Sequence, residues 1–341
     1  VWGWWLACAD PPRPTCDVDG PHLLVASTDY ASGVLGAAAL DGSCLAEPLA
    51  SAGVDPLVRR VGDLVAYADR SDGDAVRLYA PGRYGAPTHE FALPAGGNTH
   101  DVARVDDELW FARYDEPHLT VTDLRGRELA RVDLSAYADA DGLPEADALV
   151  VDGDRLFVGL QRLDFTQGGD RPPPAGPGLV LEVDPARREV VDAVEVGPNP
   201  KLRPGLAGGW VAATGVFFAP DGEVTRGGDG APEVLATERE LGFDVTLALD
   251  TADGLVLFGL DPVDTEPSHL VCGDVHLRTP SWPVDAVVDD DGRAWGVDRP
   301  MDWAGTGESA AWTLGEGCAV EQVGTGFLLG PFSTALVPSG P

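Results

Sequence analysis

A unit of about 46 residues recurs along this chain, and a repeat of that length constrains the fold more than any other feature. Short apolar runs alternate with polar residues and stop at Asp-Gly, Gly-Asp or Gly-Gly, dipeptides that reverse a strand. Residues Thr99 to Ala112 read as a strand, a tight turn at Asp106-Asp107 and a second strand. His118 to Leu124 is a third strand, Arg125-Gly126 the next turn, and Arg127 to Leu134 a fourth. First strands of such units begin near Asp55, Asp101, Asp147, Leu202, Asp244, Asp285 and Ser333, at intervals of 46, 46, 55, 42, 41 and 48 residues. Four strands in this length make a propeller blade. The last start leaves no room for three more strands, and the run from His22 to Ser27 with its two successors supplies them. The expectation is an all-β, seven-bladed β-propeller of four-stranded antiparallel blades. Its ring is closed by N- and C-terminal strands in one blade, which leaves no long unpaired sheet edge. The propeller spans residues 21–338, with 1–20 as an N-terminal arm and 339–341 as a tail.

Composition agrees with that class and removes several partners. Of 341 residues, 43 are Gly and 29 Pro, too many for a helical protein, while 44% hydrophobic residues suffice for a large core. A net charge of -33 excludes nucleic acid, whose affinity rests on Lys and Arg neutralising phosphates, and disfavours anionic membranes. It leaves cations, cationic partners and solubility as its uses. No run of about 20 apolar residues exists to span a bilayer.

The five cysteines are Cys8, Cys16, Cys44, Cys272 and Cys318, with no CxxC or Cys/His spacing of a zinc site. Cys8 follows a small Ala7 and an apolar segment, so it is a candidate lipidation site at the end of a lipoprotein signal. The alternative is an arm that packs its tryptophans on the domain. Four cysteines then remain and allow three connectivities. Chain economy favours Cys16–Cys44 and Cys272–Cys318, against the alternative of free, buried thiols in a cytosolic protein.

The runs Leu119-Thr120-Val121-Thr122-Asp123 and Leu179-Val180-Leu181-Glu182-Val183-Asp184-Pro185 each lead through a turn to another strand. In this the chain resembles exported bacterial propellers of the YVTN type. The stretch from Leu156 to Asp164 is similar to uncharacterised deltaproteobacterial (myxobacterial) propeller lipoproteins. The resemblance implies an extracytoplasmic location, in the periplasm or at the cell surface, with a lipid anchor if Cys8 is modified. It implies no particular activity, since propellers host many.

Ligands of such rings bind on the face around the central channel. Five blade starts carry Asp there: Asp55, Asp101, Asp147, Asp244 and Asp285. Converging carboxylates raise one another's pKa unless a cation intervenes, and Ca²⁺ is the hard ion that would relieve them. Ca²⁺ is therefore the candidate cofactor and these five its candidate ligands. The competing role is turn capping, each Asp accepting backbone N–H groups blade by blade. Of the six histidines, only His100, beside Asp101, is placed for chemistry. His118 and His269 open third strands in equivalent positions, which points to a shared structural role, and His22, His89 and His276 are expected at the surface.

The expected binding face combines His100 and the five aspartates with Tyr30, Tyr114, Phe165, Trp282 and Trp303. Phe165 and Trp303 lie on the two longest second-to-third-strand loops, Gln161 to Gly178 and Asp298 to Ser309, where function tends to gather. Asp29, Asp69, Arg70 and Arg113 are further candidates, and the second of those loops also holds Arg299 and Met301. No GxSxG elbow, HExxH, P-loop or dinucleotide fingerprint occurs. The favoured function is thus a non-enzymatic binding or scaffold module of the cell envelope, using an acidic channel face to hold a cationic, protein, peptide or glycan partner. The alternative is a Ca²⁺-dependent hydrolase of lactones or esters, with His100 as base near Asp101.

Overall fold

The computed structural model describes residues 18–70, 74–167, 172–216, 219–261, 268–279, 281–300 and 308–338. Within them seven four-stranded antiparallel sheets form a ring. The innermost strands of blades 1 to 6 are Pro56–Val61, Thr99–Val105, Ala146–Asp152, Lys201–Pro204, Asp244–Thr251 and Ser281–Val288. Each lies within a few residues of its predicted start. Blade 7 is closed as expected: Pro331–Val337 is its innermost strand, pairing with His22–Thr28, which is followed by Gly33–Ala39 and Leu45–Ala52. Among the described residues no helix is long and apolar enough to cross a membrane.

The strand sequences explain the stacking. Leu156, Phe157 and Val158 are consecutive and apolar because both faces of a blade are buried. Leu156 and Val158 pack towards blade 2, while Phe157 points the other way, onto Leu202 and Trp210 of blade 4. Seven apolar clusters result, one at each interface between neighbouring blades. Among the described residues the apolar packing lies between blades, and the lumen of the ring is lined by both polar and apolar side chains.

Cys272, in the third strand of blade 5, is bonded to Cys318 of blade 6 with Cα atoms 6.0 Å apart, so the expected bridge joins two blades. Cys44 is also disulfide-bonded. Its expected partner Cys16 and the candidate lipidation site Cys8 lie outside the described residues. His118 and His269 are in third strands, as expected. His22 departs from its surface reading: it is 1% exposed, with Nδ1 on Gly20 O at 2.7 Å and Nε2 on Tyr84 Oη at 2.5 Å. Closure of blade 7 places it between two strands.

Candidate functional site at the channel mouth

Five innermost strands carry a β-bulge near their start. The bulge leaves His100, Asp147, Thr246, Val284 and Phe332 outside the cross-strand register. An extra residue in one strand is turned away from its sheet, and here all five line one cavity of about 360 Å³ at the mouth of the channel. The innermost strands of blades 1 and 4 pair without a bulge and present Arg59, Lys201 and Arg203 to the same space. Arg70 and Arg299, at the ends of second strands, complete the charged lining together with Asp147 and Asp285.

The sign of this site is opposite to the expected one. Five cations, Arg59, Arg70, Lys201, Arg203 and Arg299, face two carboxylates among the described lining residues. The blade-start aspartates do not form an unrelieved acidic ring, because guanidinium groups stand among them. Arg59 Nε donates to Asp101 Oδ1 at 2.8 Å and its Nη1 to Asp285 Oδ2 at 3.2 Å. Arg203 Nη2 donates to Asp285 Oδ1 at 2.7 Å. Burial works against the Arg59 charge, but Asp101 and Asp285 outweigh it and raise its pKa. This chain of ion pairs crosses the lumen. It separates the mouth from a second cavity of about 560 Å³ whose walls include Leu149, Leu202, Leu249 and Ala335.

Asp101 and Asp285 also hold blades together. Asp101 Oδ2 accepts from Leu149 N of the next blade at 2.9 Å, and Asp285 Oδ2 from Thr334 N of blade 7 at 2.9 Å. They cap backbone N–H groups, but across blade boundaries rather than only within their own turns. Asp147 is different. Its Oδ1 meets His100 Nδ1 at 2.7 Å, and the imidazole is stacked on Tyr114 with centroids 4.1 Å apart. Burial would raise the Asp147 pKa, yet the hydrogen bond from His100 and the fields of Lys201 and Arg70 hold it below the usual carboxylate range. The carboxylate partner of His100 is therefore Asp147 of the following blade, not its neighbour Asp101.

The remaining candidates separate. Tyr30 and Trp282 line the mouth. Tyr30 lies edge-on to Phe332 and under the Arg299 guanidinium, which donates to its hydroxyl at 3.4 Å. Tyr114 is buried beneath His100 and donates to Gln161 Oε1 at 2.9 Å. Phe165 stands edge-on to Tyr114 and is half exposed. Asp55 pairs with Arg70. Asp244 is 2% exposed beside Glu238 and does not line the mouth. Arg113 is buried against Asp74 and Pro94 O, a structural position. Trp303 lies outside the described residues.

The sequence reading missed Arg59, Lys201, Arg203 and Gln161. Its available signal was strand alternation: in Pro56-Leu57-Val58-Arg59 and Lys201-Leu202-Arg203, charged residues alternate with apolar ones at blade starts.

No protein-family model matches the chain, and no curated protein matches it. Solved structures do resemble it in fold. Proteins provisionally described as 6-phosphogluconolactonases, from Bacteroides uniformis and Bacteroides fragilis, are each 14% identical, with TM-scores of 0.63 and 0.62. The first similarity covers 94% of this chain and 100% of that one, the second 95% and 99%. The Dos1 propeller is 12% identical over 93% of this chain and 86% of its own, with a TM-score of 0.56. At these identities the likeness establishes the propeller fold alone.

Proposed function

We propose that the channel mouth binds a small anionic molecule carrying a carboxylate or phosphate, and that the protein is an extracytoplasmic binding module. The observation that carries this reading is the gathering of five cations at the mouth, against the four carboxylates Asp55, Asp101, Asp147 and Asp285 in contact with that lining, in a chain of net charge -33. Arginine presents a planar fork of donors matched to carboxylate and phosphate oxygens. The acidic exterior acts over a Debye length of roughly 8 Å at physiological salt, so contacts inside the cavity decide what binds. An acidic sugar or the carboxylate end of a peptide from the cell envelope meets the requirement; a cationic ligand does not. The Cys272–Cys318 bridge and the disulfide-bonded state of Cys44 support an oxidising compartment.

A second reading is hydrolysis of an anionic lactone or ester. The His100–Asp147 contact favours it, since Nδ1 held by a carboxylate leaves Nε2 as the nitrogen available to take a proton from water. The description of two structural neighbours makes 6-phosphogluconolactone the first substrate to try.

Titration calorimetry with 6-phosphogluconate and with inorganic phosphate tests the first reading. Saturable binding is expected, weakened about tenfold or more by Lys201→Gln or Arg70→Gln, the loss that one charge-assisted contact carries. Absence of heat with both probes overturns it. Hydrolysis of 6-phosphogluconolactone above the solvent rate that disappears in His100→Ala moves the assignment to the second.

A further inference from the structure

Between the last strand of blade 2 and the first of blade 3 the chain reads Asp139-Ala140-Asp141-Gly142-Leu143-Pro144-Glu145. The segment folds back on itself: Asp141 N donates to Asp139 Oδ1 at 3.1 Å, and Leu143 N to Asp141 Oδ1 at 2.9 Å. One carboxylate oxygen from each of Asp139, Asp141 and Glu145 lies within 4.8 Å of the others. Glu145 has no exposed surface. Its Oε2 accepts from Leu163 N at 3.2 Å, and its Oε1 has no hydrogen-bond donor among the described residues. Asp139 Oδ2 and Asp141 Oδ2 are likewise buried without a donor among the described residues.

Three converging carboxylates with an unpartnered oxygen on each describe a cation site more simply than a structural cluster. A structural cluster would fill those lone pairs with N–H groups. We propose that Asp139, Asp141 and Glu145 hold a Ca²⁺ ion that fixes the loop behind the channel mouth. The donors are all hard oxygens, and their spacing of two and four residues along a bent loop suits the irregular coordination that Ca²⁺ tolerates and Mg²⁺ does not. Arg162 is the cation felt by Asp139, so three negative charges against one leave the two that a divalent ion neutralises. Without an ion the cluster is strained electrostatically.

The location gives the ion a role. Glu145 precedes Ala146 and Asp147 on the innermost strand, its carbonyl accepts from Gln161 N at 3.0 Å, and Gln161 in turn holds Tyr114 beneath His100. An ion here braces the wall that carries His100 and Asp147. It is separate from the blade-start aspartates considered above, and it does not depend on what the mouth binds.

Calcium calorimetry and thermal unfolding of the full chain, in EDTA and in 1 mM CaCl₂, test the proposal. One ion per chain and an upward shift in Tm of about 5 °C are expected, with a smaller shift from Mg²⁺. Glu145→Gln should remove the calcium response while melting in EDTA no lower than the parent, because it relieves the repulsion. Asp141→Asn serves the same purpose if that variant does not fold. Asp101→Asn and Asp244→Asn should keep the response. Absence of heat and shift in the parent overturns the proposal. So does a response that survives Glu145→Gln and Asp141→Asn but is lost in Asp101→Asn, which would move the ion to the lumen.

Discussion

At His269 the third strand of blade 5 buries an imidazole whose nearest polar neighbour is another imidazole. His269 Nδ1 lies 2.9 Å from His276 Nε2, the ring stacks on Phe243 at 4.4 Å, and its Nε2 has no partner among the described residues. Burial first, then Arg278 and His276, push its pKa down to about 4, with Asp261 opposing weakly. An unfolded histidine takes up its proton near about 6.5. The folded state resists protonation until about pH 4, so stability is fully present above pH 6.5 and is lost as pH falls through that window. The melting temperature should therefore decline between pH 6.5 and 4, and His269→Gln should flatten the decline. Parallel pH profiles for parent and variant would remove His269 as the cause.

Within a blade, the strands are tuned to each other by volume. Trp210, 1% exposed, lies across from Gly227 in register, and a Cβ on that glycine would come within 2.2 Å of Trp210 Cζ2. Trp312 covers Gly296 in blade 6 in the same way, at 2.3 Å. Neither tryptophan can move, because each also fills an interface with a neighbouring blade. Gly227→Ala should cost about 1–3 kcal/mol, the usual penalty for overpacking a filled core. Urea unfolding measures it, and a change below about 0.5 kcal/mol, the range of neutral surface substitutions, would contradict the packing argument. The bulges are the other device at this scale. One residue added to a strand start turns five side chains, including His100 and Asp147, into the mouth while the rest of each strand keeps its alternation.

For the whole molecule the ring is the stabilising unit. Each apolar cluster belongs to two blades, so no blade is buried until both neighbours are in place. Pro331–Val337 is the piece on which closure rests: it supplies Ala335 and Val337 to the blade 7–blade 1 interface and pairs along His22–Thr28. Truncation after Gly330 should open an unpaired edge and abolish a single cooperative unfolding transition. Size exclusion should show association in place of a monomer peak. A truncated chain with the parent's thermal transition would show that the closing strand is dispensable.

The number, order and closure of the blades were legible along the chain, because they depend on local physics. Turn dipeptides end the strands, and period-two runs with both faces apolar, such as Leu156-Phe157-Val158, mark sheets covered on both sides. The Cys272–Cys318 bridge followed from chain economy. The site was legible only in part. His100 and Asp147 were picked out, but not as partners, since residues 47 apart meet only when blades 2 and 3 are side by side. The sign of the mouth was not legible either. A chain with 56 acidic and 23 basic residues predicts an acidic lumen. Ring geometry instead gathers Arg59, Lys201 and Arg203 from two blades and leaves Asp244 buried beside Glu238, outside the mouth lining. Net charge is a sum over the chain, whereas the field in a channel depends on which few side chains the register turns inward, and register across blades is decided only when the ring closes.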